Sequence, residues 1–279
     1  MNVAMVGTGL IGGSMAIALK DKGIAKRIIG VESNPLHQKQ ALDLSLVDEI
    51  NDLDEAVLKC DVIIIAVPVD TAITLIGNIL DKIDKQIVID VGSTKSVICE
   101  AASKNKNRSR FVATHPMWGT EYKGPEAAVK GAFVDKAVVI CNKAESDADA
   151  LTFAENMYRK LGMHLIYMNA IAHDIHAAYV SHISHITSFA LANTVLEKER
   201  EEDAIFELAS GGFESTVRLA KSNPAMWVPV FRQNRENVLD VLNEHISQLR
   251  KFKSCLEKEN YEYLTELIEN ANKISKIIK

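Results

Sequence analysis

"VAMVGTGLIGGS", residues 3–14, runs from an apolar stretch through Gly7, Gly9 and Gly12 into an amphipathic one. The Gly-x-Gly-x-x-Gly spacing says little alone. Here it leaves a strand and opens a helix, the setting of a dinucleotide-binding turn. Gly7 allows the tight turn, Gly9 lets the backbone approach a pyrophosphate, and Gly12 lets helix and strand pack closely. The helix N-terminus adds free N–H groups and partial positive charge. Glu32 ends the next β-branched run, twenty residues past Gly12, where a carboxylate can accept bonds from ribose hydroxyls. Its charge opposes a 2′-phosphate, and Ser33 and Asn34 supply no arginine, so NAD is expected rather than NADP. The expected cofactor contacts are Gly7, Gly9, Leu10, Ile11, Gly12 and Glu32, with Val67 and Ser93 further along.

Outward from this loop, "NVAMVG", "RIIGVE", "DVIIIAVP", "QIVIDVGS", "RFVATHP", "KAVVICN" and "HLIYM" read as strands. Several are apolar almost throughout, as in a parallel sheet covered on both faces. Helical patterns at 11–22, 70–82, 94–105 and 147–161 alternate with them, which predicts a Rossmann-type doubly wound α/β sheet. After about residue 169 the strand signals stop, and helices are expected over 170–198, 202–209, 214–221, 224–254 and 258–278. Val238, Val241, Leu242, Ile246, Leu249, Phe252 and Leu256 repeat at three and four, giving an apolar stripe for the same chain or for a second subunit. The expected division is a dinucleotide-binding domain over 1–168 and an all-α substrate-binding and dimerisation domain over 169–279.

Composition sets the limits. With 279 residues, 47% hydrophobic and 25% charged, the chain can bury two cores. A net charge of -5 argues against nucleic acid as a partner, since phosphate recognition calls for a basic surface. Cys60, Cys99, Cys141 and Cys255 lie far apart without metal-ligand spacing and read as reduced thiols. "MNVAMVGTG" enters a strand directly, and no apolar run approaches the roughly 18 residues of a membrane span. A cytoplasmic protein with no membrane partner is expected.

Ligands of such sheets lie beyond the carboxyl ends of the strands. Two polar stretches fall there, "DVGSTKS" (90–96) and "ATHPMWGTEYKG" (113–124). A neutral His115 could take a proton from a substrate hydroxyl as hydride leaves; equally, a histidine before Pro116 could be a turn residue. In the helical half, "SHISH" (181–185) puts Ser181, His182 and His185 within about a 100° sector of a regular helix, with Ile183, Ile186 and Ala190 on another face. Histidines three apart without a completing acid or cysteine do not make a zinc site, and no metal is expected.

The glycine loop, "DVGSTKS", "HPMWGTEYKG", "SHISH" and "GGFESTVRLAKSNPAMW" resemble, in that order, the prephenate/arogenate dehydrogenases, the TyrA family, over roughly residues 2–255. Trp118 stands where a small residue is common, which would narrow the pocket mouth. The resemblance implies that hydride passes from the ring carbon bearing the hydroxyl to NAD(P) while a ring carboxylate leaves as carbon dioxide, a step of tyrosine biosynthesis. It makes His115 the partner of that hydroxyl, Ser93 the group holding the hydroxyl or the histidine, and Arg218 the anchor of one of the substrate's two carboxylates. His185 and Ser181 would line the cleft with His182 beside them, while His173 and His176 would be structural or exposed. Thr120, Glu121 and Trp227 would reach or cover substrate. Gly211 and Gly212 would admit a close approach of ligand or helix.

Asn223 reads in two ways: as an N-cap before Pro224, or as the position where an Asp accompanies arogenate. Its neutrality favours prephenate. The family also implies a homodimer through the helical domain. A β-hydroxyacid dehydrogenase would need a catalytic lysine in a glycine-rich helix, where this chain has "SHISH". A non-catalytic NAD sensor would have no use for Ser93, His115 and Arg218 together.

Overall fold

The computed structural model describes residues 1–199 and 206–277. The seven expected strands all form, and a two-residue strand, Glu49–Ile50, joins them. They are β1 (Asn2–Val6), β2 (Arg27–Val31), β3 (Glu49–Ile50), β4 (Val62–Ile65), β5 (Ile87–Asp90), β6 (Phe111–Pro116), β7 (Ala137–Cys141) and β8 (His164–Met168). One sheet contains them in the order β3-β2-β1-β4-β5-β6-β7-β8. The chain moves outward from β1 to β3 and then returns to pair β4 with β1, so the order reverses between β1 and β4. A crevice opens at such a reversal.

Both faces are covered, which is why the central strands are apolar throughout. In β1 the residues alternate between layers: Val3 and Met5 join one buried cluster, Ala4 and Val6 the other. Helices α1 (Leu10–Asp21), α2 (Pro35–Asp43), α3 (Leu53–Lys59), α4 (Val69–Lys82), α5 (Ser96–Ser103) and α6 (Ala148–Lys160) connect and flank the strands. Ile63, Ile64 and Ile65 of β4 are wholly buried. Each side chain contributes roughly 1.5–3 kcal/mol by leaving water.

One pairing departs from the parallel pattern, and it reverses both β7 and β8, since β8 runs parallel to β7. β7 runs antiparallel to β6, with His115 opposite Val139 and Pro116 opposite Val138. The connection carries a short turn at Pro125–Ala127 in place of a crossover helix, so the chain doubles back. That return leaves residues 117–136, with the "HPMWGTEYKG" stretch, beside the carboxyl end of β6.

The expected helix 170–198 forms as α7 (Ala170–Ala177), a π turn (Ala178–His182) and α8 (Ile183–Glu199). Residues 202–205 of the expected helix 202–209 lie outside the described residues, and Phe206–Leu208 is a 3₁₀ turn. α9 (Gly211–Val217) leads into a 3₁₀ turn at Arg218–Lys221. The expected helix 224–254 is two helices, α10 (Pro224–Gln233) and α11 (Arg235–Glu257), and α12 is Tyr261–Asn272. The chain forms two compact units, Met1–Asn234 and Arg235–Lys279. In the first, Val69 of α4 packs with Trp227 and Val230 of α10. In the second, Val238 and Val241 of the apolar stripe are buried, while Leu249 and Leu256 remain exposed.

Candidate active site

Gly7 follows β1 with φ +90°, and a Cβ there would lie 2.6 Å from the Ala66 carbonyl oxygen. A Cβ on Gly12 would come within 2.0 Å of the Gly7 carbonyl oxygen, so strand and helix close on each other only with glycine. Gly9, by contrast, has nothing within 4 Å of its Cβ position. It caps α1 without a side-chain bond, so no cap side chain takes up the first-turn N–H groups. That cradle fits a pyrophosphate. Leu10 and Ile11 are half-buried in the same turn, and Val67 packs on the second apolar layer.

Glu32 is held in place across the turn. Its Oε2 accepts from the Thr8 backbone N–H at 3.2 Å and the Thr8 hydroxyl at 3.1 Å, and its Oε1 accepts from Asn34 N–H at 3.0 Å. The carboxylate lies on a cleft of about 470 Å³ that Ser33, Gln38, Asp52 and Glu55 also line. Three acids and no base face it. The residues present therefore fit an adenosine with a free 2′-hydroxyl, as in NAD.

At the other end of the crevice, a buried polar network fixes β6. Lys95 donates Nζ to Asp90 and, at 2.7 Å, to the Thr114 carbonyl; both charged side chains are essentially inaccessible. Thr114 donates its hydroxyl to the Asp90 carbonyl at 2.6 Å, and Tyr158 lies 2.5 Å from that hydroxyl. Removing one member of such a network leaves the others buried without partners. Ser93 sits half-buried in the loop between Asp90 and Lys95.

His115 is the residue after Thr114, and its Nδ1 lies 2.8 Å from Nε2 of His173 on α7. His173 Nδ1 is in turn 2.8 Å from Oδ1 of Asp174. The Asp174 carboxylate also accepts from the backbone N–H groups of Lys95 and Ser96, each at 2.8 Å. Burial above all, then His173, Lys95 and His182, pushes His115 well below an ordinary histidine, so it is neutral at pH 7. His173, expected to be structural or exposed, thus holds the candidate catalytic imidazole by a bond that sequence offered to Ser93. The available signal was its neighbour: an acid directly following a histidine in a histidine-rich helix. His176 is exposed, its Nδ1 bonded to the Ala172 carbonyl at 2.6 Å.

The π turn rearranges the "SHISH" segment. His182, expected beside Ser181 and His185, is wholly buried, and Asn234 donates to its Nδ1 at 3.1 Å. His185 Nδ1 donates to the Ser181 carbonyl at 3.0 Å, and its ring stacks on Trp227 with centroids 3.5 Å apart. Burial lowers the His185 pKa. Trp227 is buried against Val230 and His185. Ile183 and Ile186 are partly buried, but Ala190 is exposed.

Arg218 follows α9 and reaches Glu121 Oε2 at 3.2 Å. Thr120 accepts from Tyr122 N–H at 3.3 Å in the same loop. Asn223 is an N-cap, its Oδ1 accepting from Ala225 N–H at 3.1 Å ahead of Pro224. One expectation narrows: among the described residues a Cβ on Gly211 or Gly212 meets nothing within 4 Å, so no packed helix accounts for those glycines. Trp118 packs edge-on to Phe133, 5.6 Å between centroids, beside the first apolar layer.

Comparison with known proteins agrees with this geometry. The family model for the prephenate dehydrogenase nucleotide-binding domain matches residues 15–167, and that for the prephenate dehydrogenase dimerization domain matches 169–270. The chain is 30% identical over 273 residues to a prephenate dehydrogenase of Bacillus subtilis, covering 96% of this chain and 74% of the relative. It is 27% identical over 281 residues to a cyclohexadienyl dehydrogenase of Zymomonas mobilis, covering 100% and 96%. The crystal structure of prephenate dehydrogenase from A. aeolicus in complex with hydroxyphenyl propionate and NAD+ superposes with a TM-score of 0.90, at 29% identity, over 100% of this chain and 98% of that one.

Proposed function

The chain belongs to the prephenate dehydrogenase family, and we propose that it is an NAD-dependent prephenate dehydrogenase acting in tyrosine biosynthesis. The reaction converts prephenate to 4-hydroxyphenylpyruvate and carbon dioxide. One observation carries the reading: a neutral, desolvated His115 at the end of β6, its Nδ1 side fixed by His173, in a fold whose glycine cradle fits a dinucleotide. NAD bound on Gly7, Gly9, Leu10, Ile11, Gly12, Glu32, Val67 and Ser93 supplies the hydride acceptor. His115 then accepts the proton of the substrate hydroxyl, and Ser93 orients that hydroxyl. Arg218 grips a substrate carboxylate through charge-assisted bonds. Thr120, Glu121, Ser181, His185, Trp227, Asn223 and Gly211 complete the substrate side.

The division into a cofactor domain over 1–168 and a substrate-binding, dimerising helical domain over 169–279 belongs to the same proposal. Its support is the end of the strands at Met168 and the exposed Leu249 and Leu256 of the apolar stripe. Closed twofold dimers are the commonest assembly. A cytoplasmic location accords with four free, buried cysteines and with no helix of the described residues being long and apolar enough to cross a membrane.

The test is direct. Purified protein, NAD and prephenate are mixed, and absorbance of the reduced cofactor is followed together with release of carbon dioxide. Both should rise with prephenate and neither with β-hydroxyacids. Activity with arogenate as well as prephenate would favour a cyclohexadienyl dehydrogenase, the name the Zymomonas relative carries. Silence with both cyclohexadienyl substrates would end the assignment.

A further inference from the structure

We propose that His173 and Asp174 form, with His115, a two-imidazole relay that takes the substrate's hydroxyl proton away from the reacting oxygen and hands it back when the ring becomes aromatic. The inference rests on the dehydrogenase reading above and gives His173 and Asp174 a part in proton transfer beyond holding His115 in place.

The direction of each bond follows from the carboxylate. Burial by itself would raise the Asp174 carboxyl, but bonds from His173, Ser96 and Lys95 together hold it below its ordinary value. An ionised carboxylate can only accept, so His173 carries its proton on Nδ1. A neutral His173 then presents a lone pair at Nε2. The 2.8 Å contact to His115 requires His115 Nδ1–H to donate. His115 is left with a bare lone pair on Nε2, the atom that must meet a hydroxyl proton. Asp174 thereby fixes the protonation of an atom two rings away, and the two backbone N–H bonds from Lys95 and Ser96 fix Asp174.

The same geometry says where the charge rests. If the hydroxyl proton stopped on His115, a cation would sit in a desolvated place beside Lys95. Moving the Nδ1 proton across 2.8 Å to His173 Nε2 sets the positive charge next to the Asp174 carboxylate, 2.8 Å from His173 Nδ1. Among the described residues, the titratable and charged groups that bear on the two rings are Asp174, Lys95 with Asp90 behind it, and the imidazole of His182; of these only Asp174 touches His173 as an anion.

The balance closes. The ring carbon loses hydride, the hydroxyl proton goes to His115 Nε2, and the His115 Nδ1 proton goes to His173 Nε2. When the carboxylate leaves as carbon dioxide, the pair of the broken C–C bond flows through the ring to the same oxygen, which takes its proton back from His115. His115 recovers the Nδ1 proton from His173. No net proton is exchanged with solvent, so a closed internal store suffices.

His173→Gln separates relay from support, because the amide can accept from His115 Nδ1–H and donate to Asp174 but cannot hold a second proton. The expected result is a kcat for prephenate at least about 100-fold lower, the scale of a lost acid–base group. KM should be little changed, and the acidic limb of the kcat profile should move to lower pH. Unchanged kcat in a folded variant overturns the relay. A second measurement needs no variant: ¹⁵N NMR of histidine-labelled wild-type protein with 3-(4-hydroxyphenyl)propionate bound. Neutral His115 and neutral His173 should each carry the proton on Nδ1. A proton on Nε2 of either ring in the neutral form equally overturns it. Wild-type protein inert toward prephenate would instead refute the functional reading, while the NMR experiment still decides the relay.

Discussion

Glu121 and Arg218, ninety-seven positions apart, meet as an ion pair at 3.2 Å with the guanidinium half exposed and the carboxylate mostly covered. An ion pair with its guanidinium half in solvent holds only weakly. A substrate carboxylate that binds both guanidinium edges therefore competes well for Arg218. Arg218→Ala should raise KM for prephenate about 10- to 100-fold, the equivalent of a charged hydrogen bond, with kcat much less affected. Steady-state kinetics separate the two. A collapse of kcat at constant KM would assign the arginine other work.

His115→Asn keeps a polar group at the end of β6 and removes the base. It should lower kcat roughly 100- to 10,000-fold while leaving prephenate binding nearly intact. Inhibitor binding by 3-(4-hydroxyphenyl)propionate, measured by calorimetry, reports the binding half of that claim. Activity within error of wild type would remove His115 from the chemistry.

The parts of this site that sequence made legible are those with local patterns. Gly7, Gly9 and Gly12 answer to backbone contacts within one turn and its neighbouring strand, and the apolar runs of β1, β4 and β5 answer to burial on two faces. His115 was visible as a histidine at a strand end. The His115–His173 bond spans 58 residues and has no spacing rule. The π turn at Ala178–His182 inserts a register shift that a regular 100° wheel cannot contain. α2 and α3 are short and largely polar on their exposed faces, so their apolar period was too brief to read.

His182 makes stability depend on pH. Burial lowers its pKa from 6.5 to about 4 in the folded protein. An unfolded chain therefore takes up this proton first, so the contribution is whole above pH 6.5 and is lost as pH falls toward 4. The slope is about 1.4 kcal/mol per pH unit and sums to roughly 3 kcal/mol. Chemical denaturation of wild type and His182→Gln between these pH values should differ in slope by one proton. Parallel slopes would show that His182 is not buried neutral.

Asn223→Asp is a clean test of charge because aspartate caps a helix as well as asparagine does. The Ala225 N–H bond and α10 should survive. What changes is one negative charge in the loop that follows Arg218 and Lys221. Arogenate bears an ammonium where prephenate has a keto group, so the arogenate-to-prephenate ratio of kcat/KM should rise. An unchanged ratio, with Tm unaltered, takes Asn223 out of substrate choice.

Glu32 decides between the two nicotinamide cofactors if its carboxylate faces the ribose. It already accepts twice from Thr8 at Oε2 and once from Asn34 at Oε1, which fixes its orientation and leaves a lone pair on Oε1 for a ribose hydroxyl. Glu32→Gln preserves size and one acceptor oxygen but removes the charge that repels a 2′-phosphate. The NAD-to-NADP ratio of kcat/KM should fall about 10- to 100-fold, the worth of a hydrogen bond to a charged group. Asp52 and Glu55 still line the cleft, so the shift should come more from weakened NAD than from strengthened NADP. Binding of each cofactor without substrate, followed by tryptophan fluorescence, should show the same asymmetry. An unaltered ratio in both measurements would place the ribose elsewhere and leave Glu32 as a brace for Thr8.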